Sequence, residues 1–325
     1  MQKTLLTYSH SLLLPLTRSC GIHCRYCTFK HNDGLLMTFD EIENYLQKYA
    51  ASGICEVVVN SGQALDKVPD ITDKLNKLGY TSFTEYVRDI CHLILENGLL
   101  PSVEIGPLSS AQLEMLAPYI SSVTLLLENI NNEFVATIQE GKSIDEKLEC
   151  VSDAGLLNIP VTTGLLLGAG ETIDDGFATL GAIEELHEKY KHIQSVVFQP
   201  VISDGRFQVS EIVNEEMQLL INYSKKIMPD VAVSIPIQSA WSWLDTNISG
   251  VDDLGHIFEG TDGTDWSKPF PKLTEIGRMA GKKGYDLKAR FPIFETMYKR
   301  AHVSEKMQLT INQWIDKKEY MSYRN

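Results

Sequence analysis

Short apolar runs alternate with amphipathic stretches almost from end to end of the chain, and that alternation restricts the fold more than any other feature. It is the pattern of βα units around a buried parallel sheet. Eight candidate strands can be read, at residues 12–16, 56–60, 100–105, 123–127, 161–167, 195–201, 231–237 and, with the weakest pattern, 286–290. Runs such as Glu56-Val-Val-Val-Asn60 and Val123-Thr-Leu-Leu-Leu127 are continuous, as expected when helices cover the outer face of a sheet and side chains fill the inner one. Between strands, Thr38 with Glu41 and Ser82 with Glu85 have the spacing of capping boxes, and Gly53 and Gly98 stand where those helices would stop. With 325 residues and 43% hydrophobic content the chain is long enough for one large core. The expectation is one α/β domain over residues 1–325, a (βα)8 TIM-like barrel, with 303–325 as a C-terminal helical extension. Such a barrel gathers the loops that follow its strands at one end, so the chemistry is expected there.

Charge narrows the partners. The 29 basic and 43 acidic residues give a formal net charge of −14, and no run of Lys and Arg is present to neutralise phosphates. Nucleic acid and anionic membranes are therefore not expected. The early apolar stretch at 12–16 is too short to span a bilayer and lacks the flanks of a secretory signal, which points to the cytoplasm. Of the six cysteines, Cys55, Cys91 and Cys150 are scattered through regularly patterned apolar segments and read as small core hydrophobes. The stripe of Tyr86, Ile90, Leu93 and Ile94 reads as helix packing.

The other three cysteines need a different explanation. Cys20, Cys24 and Cys27 form C-x-x-x-C-x-x-C directly after the first candidate strand, so three thiolates share one short loop. Iron–sulfur clusters are held by Cys thiolates, and three of them leave one iron of a [4Fe–4S] cluster open to an outside ligand. A structural zinc site is the competing reading, with His23 or His31 completing a Cys3His set, but no second Cys/His pair stands at the usual spacing.

On these residues the sequence resembles the radical S-adenosylmethionine superfamily, whose motif carries an aromatic residue before its last cysteine, where Tyr26 stands. The resemblance implies that the methionine amino and carboxylate groups chelate the open iron, and that reductive cleavage yields a 5′-deoxyadenosyl radical that abstracts hydrogen from the substrate. Further elements recur in order. Ser61, Gly62 and Gln63 stand in place of the family's Gly-Gly-Glu turn for the methionine amine. Glu128 is similar to an acid that contacts the co-substrate, and Lys147 takes the place of an Arg near its carboxylate. Thr163, Gly164, Gly168 and Glu171 fall in an element resembling G-x-I-x-G-x-x-E, which supports the adenine.

A narrower resemblance covers nearly the whole chain, to the cyclising half of 7,8-didemethyl-8-hydroxy-5-deazariboflavin synthase. It rests on Tyr8-Ser9, Pro15-Leu-Thr17, Cys27-Thr-Phe29, Leu100-Pro101, Leu126-Leu-Glu128, the stretch 160–164, Gly168-Ala-Gly-Glu-Thr172, His192-Ile-Gln194 and Pro269-Phe-Pro271. Three stretches depart from that pattern: Ser102 and Glu104 stand where the family has His and Asn, Gln199 to Arg206 replaces Gln-Asn-Phe-Arg-Ala-Lys-Pro, and Gln238 to Trp243 replaces Pro-Pro-Asn-Leu. Loops at a barrel mouth tune substrate, so these changes mark the candidate substrate residues Ser102, Glu104, Gln199, Arg206, Gln238, Trp241 and Trp243. The alternative for both tryptophans is packing beneath the loops. Arg206, Asp253 and His256 are the catalytic candidates.

The expected activity is coupling, cyclisation or rearrangement of a small polar metabolite in deazaflavin-type cofactor biosynthesis, with a low-potential donor such as flavodoxin or ferredoxin supplying the electron. Rivals are radical rearrangement or fragmentation of an amino-acid-derived substrate, as in relatives resembling methylornithine synthase, and a non-enzymatic iron–sulfur electron-transfer or sensor protein.

Overall fold

The first strand, β1 (Thr4–Thr17), is long enough to serve several neighbours, and the sheet closes on it. The computed structural model describes residues 4–202, 205–237, 243–260 and 269–316. In chain order the strands after β1 are β2 (Glu56–Ser61), β3 (Leu100–Glu104), β4 (Ser122–Thr124), β5 (Val161–Leu167), β6 (Ile193–Pro200), β7 (Ala232–Ser234), β8 (Asp253–Phe258) and β9 (Tyr285–Arg290). Strands β1 to β8 pair in sequence, all parallel, and β8 returns to β1 with Thr7 opposite Asp253 and Ser11 opposite Phe258, closing an eight-stranded barrel. Right-handed helical crossovers are the usual way to join such strands. Helices follow most of them here, from Phe39–Tyr49 after β1 to Leu273–Lys282 after β8.

One expectation is corrected. The eighth ring strand is Asp253–Phe258, a segment whose residues the sequence placed in a loop, whereas the expected strand at 286–290 lies outside the ring as β9. It pairs with Thr4 to Ser9 of β1, on the edge that β2 takes further along: Thr4 N–H donates to Gly284 and the His10 carbonyl accepts from Cys55 on that side. Thr7 and Ser11 use the opposite edge, toward Asp252 and Glu259. The sequence hid β8 because its inward residues are polar and Gly255 interrupts it.

The same inversion runs through β1. Leu12, Leu14 and Leu16 face outward into the core shared with the helices, while Ser9 and Ser11 face the barrel interior and are fully buried there. The two capping boxes form as read: Thr38 and Ser82 side chains accept from the Glu41 and Glu85 amides, and the carboxylates reach back. Tyr86, Ile90 and Ile94 of the helix Phe83–Glu96 are buried in the core, as are Cys55, Cys91 and Cys150. Gly98 follows with φ of +70°, the left-handed turn that glycine adopts without strain. The helix Glu305–Asp316 buries Met307, Ile311 and Trp314 against this region, and the Trp314 indole donates to the Gly98 carbonyl at 2.9 Å. Among the described residues no helix is long and apolar enough to cross a membrane.

Candidate active site

The barrel encloses a cavity of about 360 Å³ that opens at the C-terminal ends of the strands. Its mouth carries the cysteine loop and its floor carries charge. Cys20, Cys24 and Cys27 all line it. Their loop is held by hydrogen bonds to its backbone as well as by Tyr26, which packs against the apolar cluster around Phe134. His23 and Cys24 form a two-residue antiparallel ladder with Gln139 and Glu140, and the Arg25 amide donates to the Ile138 carbonyl at 2.9 Å. Lys30 Nζ donates to the Ile22 carbonyl at 2.8 Å, and Arg18 Nε to that of Phe29 at 2.8 Å.

Across the loop lies the turn after β2. The Gly21 amide donates to the Gln63 carbonyl at 2.8 Å and the Gln63 amide to Cys20 Sγ at 3.2 Å. A Cβ on Gly62 would stand 2.0 Å from the Ser19 carbonyl oxygen, so only glycine lets the two turns meet. Ser61, Gly62 and Gln63 all line the cavity, with the Gln63 side chain lying over Gly106.

A buried ionic group forms the next part of the rim. Glu128 is a non-glycine residue with φ of +66°, a conformation that costs energy and is kept where surrounding contacts demand it. Its carboxylate accepts from Tyr26 Oη at 2.6 Å, from Lys142 Nζ at 2.6 Å and from Lys147 Nζ. Burial pushes the Glu128 pKa up, but the two lysines outweigh it and hold the group at about 2. Lys147 does not reach the cavity: it is buried under Glu128, with a second bond to the Leu127 carbonyl at 3.0 Å, and burial draws its pKa down. The lysine at the cavity wall is Lys142, which the sequence reading missed. Glu128 thus holds one lysine at the cavity wall and a second beneath it.

The adenine-side element is displaced from the expectation in register. Thr162, not Thr163, lines the cavity, because alternate strand residues face opposite sides. Thr163 is buried on the other face, where its hydroxyl accepts from the Leu127 amide at 3.3 Å. Gly164 permits close strand approach, since a Cβ there would lie 2.0 Å from the Val197 carbonyl oxygen. Gly168 turns the chain with φ of +91°, and its amide and that of Ala169 donate to the Glu171 carboxylate at 2.6 and 2.8 Å.

The floor holds two tightly satisfied acids. Glu56, fully buried, accepts from the hydroxyls of Ser9, Ser11 and Ser102 and faces His256 Nδ1 at 3.4 Å. Burial raises its pKa, yet His256 and the hydroxyls bring it to about 2, while Glu56 in turn overcomes burial to raise His256. Asp253 accepts both Nε and Nη2 of Arg290 at 2.7 and 2.8 Å, together with Thr7 Oγ1 at 2.6 Å and the Gly255 amide at 2.7 Å. With its oxygens so occupied, Asp253 ties β8 to Thr7 and Arg290 and organises the floor.

The substrate candidates divide. Glu104 and Gln199 line the cavity with His256. Ser102 lies below the cavity wall, holding Glu56. Arg206 is exposed and outside the cavity lining. Trp243 is corrected to a core residue, fully buried beside the Tyr285 ring at 5.8 Å between centroids. Gln238 and Trp241 lie outside the described residues. Glu56 and Arg290 were missed, although an acid inside an apolar strand was a usable signal for Glu56.

These residues fit an iron–sulfur cluster. Among the described residues, no three His, Cys, Asp or Glu side chains converge as a ready-made site for one ion. A cluster instead spreads its thiolates over different irons. Gly62 supplies the cradle that brings the loop to the cavity, and the Gln63 amide already donates to the first sulfur.

The family model of the radical SAM superfamily matches residues 14–183. The chain belongs to the radical S-adenosylmethionine superfamily, and it is an enzyme of that type with a [4Fe–4S] cluster and S-adenosylmethionine as its cofactors. Within it, the chain is 32% identical to the 7,8-didemethyl-8-hydroxy-5-deazariboflavin synthase of Methanococcoides burtonii, over 96% of each chain. The synthase of Methanothermobacter thermautotrophicus is 28% identical over 95% of this chain and 97% of its own. Among solved structures, methylornithine synthase superposes with a TM-score of 0.64 at 15% identity, over 87% of this chain and 83% of that one. HydG, a maturase of the [FeFe]-hydrogenase, gives 0.65 at 16% identity, over 87% of this chain and 65% of that one. These two carry the barrel fold alone.

Proposed function

We propose that this enzyme performs the ring-forming radical step of deazaflavin cofactor synthesis on a small, polar, amino-acid-derived substrate. The observation that supports it most is the placement of three cysteines at the mouth of a closed, charge-floored cavity, in a chain similar over its length to deazaflavin synthases. In this reading Cys20, Cys24 and Cys27 hold the cluster, which with its co-substrate supplies a 5′-deoxyadenosyl radical.

The chain's own groups orient what binds. Carbonyls around Ser61, Gly62 and Gln63 receive the methionine amine, and Lys142, poised by Glu128, offers a point charge to the methionine carboxylate. Tyr26 and the turn from Gly164 through Gly168 to Glu171 bound the adenine side. The substrate lies deeper, between Glu104, Gln199 and His256, and the barrel wall keeps bulk water from a reactive carbon radical. Residues 1–325 act as one barrel unit with an added C-terminal helix, in the cytoplasm, and an external low-potential donor of the flavodoxin or ferredoxin type supplies the electron.

Anaerobic reconstitution followed by incubation with the tyrosine–diaminouracil adduct tests this directly. Fluorescent deazaflavin, with substrate deuterium transferred into 5′-deoxyadenosine, is the expected result. Cleavage of S-adenosylmethionine without that product, under conditions where a deazaflavin synthase works, overturns the assignment of product.

A further inference from the structure

Three of the four acids in the cavity wall have their charge answered within the fold: Glu56 by His256, Asp253 by Arg290 and Glu128 by Lys142 and Lys147. Glu104 is the exception, with no ion-pair partner within 4 Å among the described residues. It stands opposite Asn60 in the register of β2 and β3, and both side chains line the cavity. Burial raises the Glu104 pKa, and Asn60 opposes this from its side as a donor would, which turns its amide nitrogen toward the carboxylate. The reverse orientation would set two acceptors against each other. That choice leaves Asn60 Oδ1 shielded from solvent and without a partner among the described residues.

The result is a carboxylate without an ion pair, felt only at longer range by His256, and beside it a carbonyl oxygen without a partner among the described residues, on two side chains that line the cavity. Both only accept hydrogen bonds in this arrangement. A ligand carboxylate or phosphate would be repelled, and a neutral N–H would leave the buried charge unanswered. An ammonium group, with three donors and a positive charge, satisfies both at once.

We propose that Glu104 and Asn60 form a subsite for the protonated amine of an amino-acid-derived substrate, and that this pair sets which substrates the barrel accepts. The inference rests on the reading of the cavity as the substrate chamber and names the group that is gripped there. Nothing in it depends on the final product.

The test uses cluster-loaded protein and two probes, tyramine and 4-ethylphenol, which differ only in the ammonium group. Calorimetric titration of the unaltered protein should give tyramine about 10- to 100-fold the affinity of 4-ethylphenol, the range for a charge-assisted hydrogen bond. Glu104→Gln, which keeps size and loses charge, should bind both alike, with iron content and circular dichroism unchanged. Asn60→Ser, a milder change, should reduce the preference about threefold and serves as the arbiter if Glu104→Gln does not load its cluster. Equal affinity for the two probes in the unaltered protein overturns the subsite, as does a preference that survives both substitutions. Deazaflavin formation from the adduct is measured in parallel on the unaltered protein. Its absence beside an intact tyramine preference refutes the product assignment alone, and its presence without that preference refutes the subsite alone.

Discussion

The mouth and the floor of the barrel are built by opposite means. At the mouth, function rests on a short local spacing, Cys20 to Cys27, held in shape by backbone hydrogen bonds and glycine turns. On the floor it rests on side chains from distant strands, Ser9 and Ser11 of β1, Glu56 of β2, Ser102 of β3 and His256 of β8, which meet only when the ring closes. In the proposed function the mouth does chemistry common to a superfamily, and the floor selects what that chemistry acts on. A fold that separates the two can change substrate by altering a few inward residues while leaving the radical machinery in place.

The largest effect should come from the mouth. Replacing any one of Cys20, Cys24 and Cys27 with Ala is expected to abolish cleavage of S-adenosylmethionine and reduce iron well below the about four atoms per chain of a complete cluster. The same change at Cys55, Cys91 or Cys150 should preserve both. Iron analysis with detection of 5′-deoxyadenosine decides it, and a dispensable member of the first set would break the ligand assignment.

The floor should show itself in stability. Glu56→Gln removes the charge that His256 answers and should cost about 3 kcal/mol in urea denaturation, as when one member of a buried pair is lost. The sign of its pH dependence follows from the two groups. Glu56 has a folded pKa of about 2, below its ordinary 4.5, so its contribution is present above 4.5 and is lost as pH falls toward 2. His256 is raised above 6.5, so its contribution is full below 6.5 and fades as pH rises through the raised value. The unaltered protein should therefore be most stable between those limits, and Glu56→Gln should flatten both limbs. An unchanged profile would mean the pair does not hold the floor together.

The smallest effect marks the boundary of the site. Arg206 is exposed outside the cavity lining, so Arg206→Ala should change the free energy of unfolding in urea by less than about 0.5 kcal/mol and leave the substrate Michaelis constant unchanged. A large rise in that constant would move the substrate chamber outward and sharpen where the floor ends.

How much could be read from the sequence follows the same division. The barrel, the capping boxes and the cysteine triplet are local patterns, periodic or closely spaced, and these the residues display directly. Strand β8 escaped because strand reading expects apolar residues inside, and Asp253-Leu-Gly-His256 puts polar ones there to build a floor. Trp243 was drawn to the cavity by its neighbourhood and size, yet a large ring beside an apolar run finds more contact in the core than at a wet mouth. Lys142 gave no signal at all: its amine is brought to Glu128 by the turn after Gly141, and no periodicity marks a residue on such a turn.

The ladder that joins His23 and Cys24 to Gln139 and Glu140 has a consequence for timing during synthesis. The cysteines leave the ribosome early, but the segment that frames their loop follows only after three further barrel strands, β2 to β4. The framed form of the cysteine loop therefore cannot close until synthesis has passed Glu140, so the mouth is completed by a segment made well after the residues it holds.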